Sequence, residues 1–226
     1  MVVKRATWKY TSLFKSLKKG LAMKKIIKSI FVLMLSFSFS NASLVEDGYI
    51  ELEKGNVLEA ANIFKVSCEK GAFAGCYNLG LMYFKGEHIA KNYTKAEEYF
   101  SKACVQGHQN ACYNLANMYE KGLGVEKDNF KAVDLYIKTC KNGVSSSCFN
   151  LAIMYKNGNG VEKDDFRAVD FYTKACEMNH QKACYNLGVM YLEGDFLAIN
   201  KTKAKEYFEK SCELGYSNAC KELGKL

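Results

Sequence analysis

The stretch Ala103-Cys104-Val105-Gln106-Gly107-His108-Gln109-Asn110-Ala111-Cys112-Tyr113-Asn114-Leu115-Ala116-Asn117-Met118-Tyr119-Glu120-Lys121-Gly122 decides the fold. It holds two cysteines eight residues apart, a glycine between them, and a second glycine after an apolar run. Reading outward, the same pair recurs as Cys68 and Cys76, Cys140 and Cys148, Cys176 and Cys184, and Cys212 and Cys220, each 36 residues from the next. A fixed period of this length marks a stack of supersecondary units.

Upstream of each first cysteine, alanine recurs at Ala60, Ala96, Ala132, Ala168 and Ala204. Phe64, Phe100, Tyr136, Tyr172 and Phe208 follow four residues on, and the cysteine four beyond that. Positions i, i+4 and i+8 share one face of a helix. This predicts helix A, closed at Gly71, Gly107, Gly143, Asn179 and Gly215, residue types that tolerate the left-handed conformation. The second cysteine opens helix B, which runs through Tyr77-Asn78-Leu79-Gly80 and its counterparts to Gly86, Gly122, Gly158 and Gly194. The small residue at 80, 116, 152, 188 and 224 predicts close approach of helices A and B.

The expectation is therefore an all-α solenoid of five helix hairpins, 57–92, 93–128, 129–164, 165–200 and a shorter 201–226. A hairpin cannot bury its own apolar stripe, and stacking makes the core continuous. Residues 43–56 read as an N-terminal capping helix stopped by Gly55.

The hairpin turn brings each cysteine pair together, so each repeat is expected to carry a local disulfide. Zinc sites favour cysteines two to four residues apart, and redox catalysis favours Cys-x-x-Cys. Neither spacing occurs here.

The formal charge of +8 belongs to the first 42 residues, which hold nine Lys/Arg and no Asp or Glu; without them it is −1. The remainder is nearly neutral and offers no basic footprint to a phosphate backbone, so nucleic-acid binding is not expected. Residues 23–42 read as a signal peptide. Met23-Lys24-Lys25 opens it, Ser29 to Phe39 forms its apolar run, and small residues precede Ser43. That run is too short to span a membrane. Residues 1–22 are expected to be an upstream extension. A secreted or periplasmic location follows, where disulfides persist.

The string Tyr-Asn-Leu-Gly/Ala, then Met-Tyr, then Gly, preceded by Ala-Cys, resembles the Sel1-like repeat, a relative of the tetratricopeptide repeat. The cysteine pairs are similar to those of the Helicobacter cysteine-rich protein family. The resemblance covers residues 57–226 and implies hairpins in a right-handed superhelix, with helix A lining a concave groove. It also implies penicillin binding and slow β-lactam hydrolysis.

The residues themselves offer little chemistry. A serine β-lactamase uses Ser-x-x-Lys with partner motifs such as Ser-Asp-Asn and Lys-Thr-Gly. Ser67-Cys68-Glu69-Lys70 matches the first, but neither partner motif exists and Ser67 falls at the end of helix A. His108 and His180 occupy the same slot two repeats apart, and His88 is the third histidine, so no metal set is expected. No catalytic residue, metal or cofactor is expected. The Asn78, Asn114, Asn150 and Asn186 ladder reads as satisfying backbone groups of a neighbouring helix.

Helix A positions that read as exposed vary between repeats: Asn62, Lys65, Glu98, Ser101, Asp134, Ile137, Asp170 and Thr173, with Glu206 and Glu209. They are mixed but somewhat acidic, and read as the binding face for a protein or peptide, basic or polar. The chain is expected to be a monomeric binding scaffold. Alternatives are a weak β-lactam-binding or β-lactam-hydrolysing protein and a cell-wall adaptor that takes muropeptides.

Overall fold

The computed structural model describes residues 44–194 and 197–226; the predicted extension and signal peptide lie outside them. Two compact units divide the chain, Met1–Ile63 and Phe64–Leu226. In the first, helix α1 spans 44–53, and Gly55 follows at φ 80°. Glu51 accepts from Lys54 at 2.8 Å and from Asn56 at 2.7 Å, and these bonds hold its carboxyl below the usual range. Helix α2 (Val57–Glu69) begins in this unit and ends in the next.

Among its described residues, the regular elements of the second unit are all helices. The remaining helices are α3 (Phe73–Lys85), α4 (Tyr93–Val105), α5 (Gln109–Lys121), α6 (Asn129–Lys141), α7 (Ser145–Asn157), α8 (Asp165–Glu177), α9 (Gln181–Glu193), α10 (Lys201–Glu213) and α11 (Ser217–Leu223). Even-numbered helices are the predicted helix A and odd-numbered ones from α3 on are helix B. The extensive contacts are between consecutive helices, as expected of stacked hairpins.

Local chemistry sets the boundaries. Helix A is capped in four repeats by Asn92, Asp128, Asp164 and Asn200, whose side chains accept from the backbone N–H three residues on. The predicted stop of helix A is in the left-handed region in every repeat, including Asn179 at φ 61°. Helix B ends at Gly86, Gly122, Gly158 and Gly194, all left-handed.

Five disulfides join each cysteine to its partner eight residues away, with Cα separations of 4.6 to 4.9 Å. They bridge the end of each helix A to the first turn of helix B. The first four are buried, whereas Cys220 is exposed.

The core alternates between the helix A aromatics and the small residues of helix B, and here one expectation changes. The small slot does not serve contact within a hairpin; it receives the aromatic of the following repeat. A Cβ on Gly80 would stand 2.7 Å from the Phe100 ring, and one on Gly188 would stand 2.6 Å from Phe208. Gly224, at the same slot of the last hairpin, meets no ring. The slot is Ala116 or Ala152 where the next aromatic is Tyr136 or Tyr172. Glycine thus goes with phenylalanine, and alanine with tyrosine.

The tyrosines also correct the reading of the asparagine ladder. Asn150 donates from Nδ2 to the Tyr136 hydroxyl at 3.0 Å, and that hydroxyl donates to Glu120 at 2.7 Å. Asn186, at the same slot, acts on the Tyr172 hydroxyl by lowering a pKa that burial raises. In the repeat of Asn150 the asparagine satisfies a buried phenol rather than free backbone. Burial, then the Glu120 charge, pushes the Tyr136 hydroxyl far above its ordinary pKa, so it stays a donor.

Candidate interaction surface

The apolar stripe of helix A faces inward, which leaves an arc of the same helices facing out. In α4, α6, α8 and α10 the buried alanines four residues before the core aromatic are Ala96, Ala132, Ala168 and Ala204. Residues two before, two after and five after each alanine share one arc, because a helix turns about 100° per residue. The residues two after, Glu98, Asp134, Asp170 and Glu206, are exposed. So are Lys65, at 3.9 Å from Glu69, and Glu209. Asn62, exposed as well, belongs to the first unit.

Ser101, Ile137 and Thr173 differ from expectation. They are half-buried, and Ile137 packs against the core cluster around Tyr136. Five residues after the alanine, the helix surface already turns toward its neighbours.

The sequence reading missed the largest feature of the arc. Two residues before the alanine stand Phe130 and Phe166, 74% and 73% exposed, and Val105 at the far end of α4 is 83% exposed. The signal was available: two phenylalanines 36 residues apart and outside the Ala–aromatic–Cys stripe have no place in the core. Large apolar groups recurring at one slot invite a partner.

A second row flanks the arc. Lys95, Lys131, Arg167 and Lys203 immediately precede the alanines and lie over Tyr83, Tyr119, Tyr155 and Tyr191 of the preceding helix B, 4.9 to 5.4 Å from the ring centroids. Three of these tyrosines also stack on the next helix A: Tyr83 on Tyr99, Tyr155 on Phe171 and Tyr191 on Tyr207, at 5.5 to 5.9 Å. Arg167 also donates to the Tyr155 hydroxyl at 3.0 Å, which raises its pKa. Each cation is tethered to an aromatic rather than waving in solvent.

Elsewhere the candidate chemistry is taken up by structure. Ser67 is fully buried, and its Oγ lies 2.7 Å from where a Cβ on Gly75 would be, so no substrate reaches it. Among the described residues, no group of three or more His, Cys, Asp or Glu could hold a metal ion. No helix among them is long and apolar enough to cross a membrane. A cavity of about 440 Å³ opens beside α7 and α9, lined by Tyr113, Ser145, Phe149, Asn150, His180 and Lys182 among others.

His108 and His180 are helix caps. Their Nδ1 atoms accept from Ala111 and Ala183 N–H at 3.1 and 3.3 Å. Each ring stacks on the preceding helix B, His108 on Tyr77 at 4.2 Å and His180 on Phe149 at 4.4 Å. Burial lowers both pKa values, with Lys182 adding to the effect at His180. Folding thus favours the neutral rings. Their contribution is complete above the ordinary 6.5 and is lost as pH falls through the lowered folded values. The melting temperature is expected to fall between pH 7 and pH 5, and the fall should shrink in His108→Asn/His180→Asn, since asparagine caps without titrating. An equal fall in that variant would remove the histidines from the account.

The family model described as the Sel1 repeat matches residues 74–108, 109–144, 145–180 and 181–216. A Sel1 repeat protein from Oxalobacter formigenes is similar in structure, with a TM-score of 0.75, 28% identity, and coverage of 82% of this chain and 77% of that one. A protective antigen present in uropathogenic Escherichia coli strains gives a TM-score of 0.73 at 29% identity, covering 82% of this chain and 41% of that one. Cysteine rich protein B of Helicobacter pylori is 32% identical over 59% of this chain and 96% of that one, with a TM-score of 0.48. No curated protein matches by sequence. The match to the family model spans more than half of the sequence, with the hairpins and cysteine bridges in register, and the chain belongs to the Sel1 repeat family.

Proposed function

We propose that this protein is an exported, disulfide-stapled scaffold that binds a protein or peptide partner through the outward arc of its helix A row. The observation that carries the reading is the exposure of Phe130 and Phe166 at one slot of adjacent repeats. An isolated exposed phenylalanine needs no explanation, but a pair at the repeat period on a rigid stack is a docking anchor. Sel1 repeats commonly serve protein–protein interaction, which agrees with this use. The carboxylates Glu98, Asp134 and Asp170, with Lys65, Ser101, Ile137 and Thr173, form the surroundings of the anchors in this reading. Asn62 is a further candidate contact from the first unit. Export is supported by the signal-like segment at 23–42 and by five disulfides, which suit an oxidising compartment.

A peptide-display selection on the purified, oxidised protein tests this. Selected peptides should bind Phe130→Ser/Phe166→Ser at least about 10-fold more weakly, since buried aromatic anchors dominate such interfaces. The variant should melt as the parent does, because neither ring is in the core. Peptides that bind both proteins equally would move the site elsewhere.

A further inference from the structure

The arc around Phe130 and Phe166 carries a charge pattern that selects its occupant. The residues two after the alanine are acidic in four consecutive repeats: Glu98, Asp134, Asp170 and Glu206. Glu98 is held by Lys102 at 2.5 Å. Among the described residues, Asp134, Asp170 and Glu206 have no salt-bridge partner. Of the cations on these helices, Lys131, Arg167 and Lys203 lie over tyrosine rings of the preceding helix B, and Lys138, Lys174 and Lys210, four residues after the carboxylates as Lys102 is after Glu98, form no ion pair with them among the described residues. Lys131 and Arg167 also face the capping carboxylates Asp128 and Asp164, at 3.3 and 3.4 Å.

We infer that the arc takes a polypeptide segment in which Lys or Arg alternates with apolar side chains. This deepens the binding reading above and rests on it. Apolar side chains of the segment cover Phe130 and Phe166. Its cations meet Asp134 and Asp170, four residues further along the same two helices. A helix rises about 1.5 Å per residue, so phenyl and carboxylate are roughly one turn apart, within reach of alternate side chains of one segment. An acidic segment would set like charges against this row, which costs affinity and on-rate. A second copy docked through the same arc would do the same, because a two-fold interface apposes each patch with itself.

Fluorescein-labelled peptides repeating Phe-Lys-Ser, Phe-Glu-Ser and Gly-Lys-Ser, titrated with the full oxidised chain and read by anisotropy, test the inference. Phe-Lys-Ser should bind, with the other two weaker by about 10-fold or more, and added salt should narrow the gap between the Lys and Glu peptides. Asp134→Lys/Asp170→Lys, at exposed helix positions that tolerate lysine, should reverse the preference at unchanged melting temperature. If Phe-Glu-Ser binds as tightly as Phe-Lys-Ser while Phe130→Ser/Phe166→Ser weakens both, the charge inference falls and the docking face stands. If that serine variant binds every peptide like the parent, or no peptide binds, both fall.

Discussion

Complete reduction of the five disulfides is expected to unfold the repeat array at 25 °C. Each bridge closes a loop with eight residues of sequence separation. In the chain-entropy picture such a loop contributes about 2.5 kcal/mol by restricting the unfolded chain. Five together reach about 12 kcal/mol, comparable to the whole stability of an ordinary domain, about 5–15 kcal/mol. The helices are 13 residues or shorter from α2 on, too short to persist alone once packing fails. Far-UV circular dichroism with and without reductant, alongside a thiol count, reads the outcome. Cys212–Cys220 should reduce first, because Cys220 is exposed while the cysteines of the other bridges are at most 7% exposed. A fully reduced chain that keeps its helicity and melting temperature would sink the idea that the bridges carry the fold.

Phe100→Ala is expected to cost about 3–5 kcal/mol, as buried phenylalanine truncations do. Phe100 is fully buried, lies against Gly80, and has Tyr77 and Phe84 at ring-centroid distances of 6.0 Å. Glycine offers no side chain to collapse into the space, so the cavity stays open. In a chain of this size the melting temperature should drop by roughly 10 °C. Phe130→Ala is the internal comparison: the same substitution at an exposed slot should change stability by less than about 0.5 kcal/mol. Adding Gly80→Ala to Phe100→Ala should recover part of the loss, because the methyl enters the vacated space. In the parent the same methyl collides with the ring, so Gly80→Ala alone should destabilise. Equal losses for Phe100→Ala and Phe130→Ala would overturn the assignment of inward and outward faces.

Those two phenylalanines also show where legibility ended. Phe100 sits on the i, i+4, i+8 line with Ala96 and Cys104, so its burial could be read from the chain. Phe130 lies off that line, two residues before Ala132, and the same periodicity places it on the outward face. Ile137 erred in the other direction. It is off the stripe yet half-buried, because a neighbouring element covers it. The caps Asn92, Asp128, Asp164 and Asn200 are legible in the sequence as Asn or Asp four residues before the alanines of α4, α6, α8 and α10. The capping role of His108 and His180 is less plain, since Nδ1 accepts only while the ring is neutral, and it is burial in the fold that lowers both pKa values.

The sequence by itself determined the hairpin: the two helices, their ends and the pairing of each cysteine with its neighbour. These depend on contacts within a few turns of chain, which helix geometry and residue type fix without reference to anything distant. The tertiary structure decided what each hairpin meets. That the Gly80 slot receives Phe100 of the next repeat, that Asn150 serves a phenol bonded in turn to Glu120 of the previous repeat, and that Tyr83 lies between Lys95 and Tyr99 all depend on how one hairpin is set against the next. That angle comes from the sum of many weak packing contacts across an interface, and no single repeat encodes it.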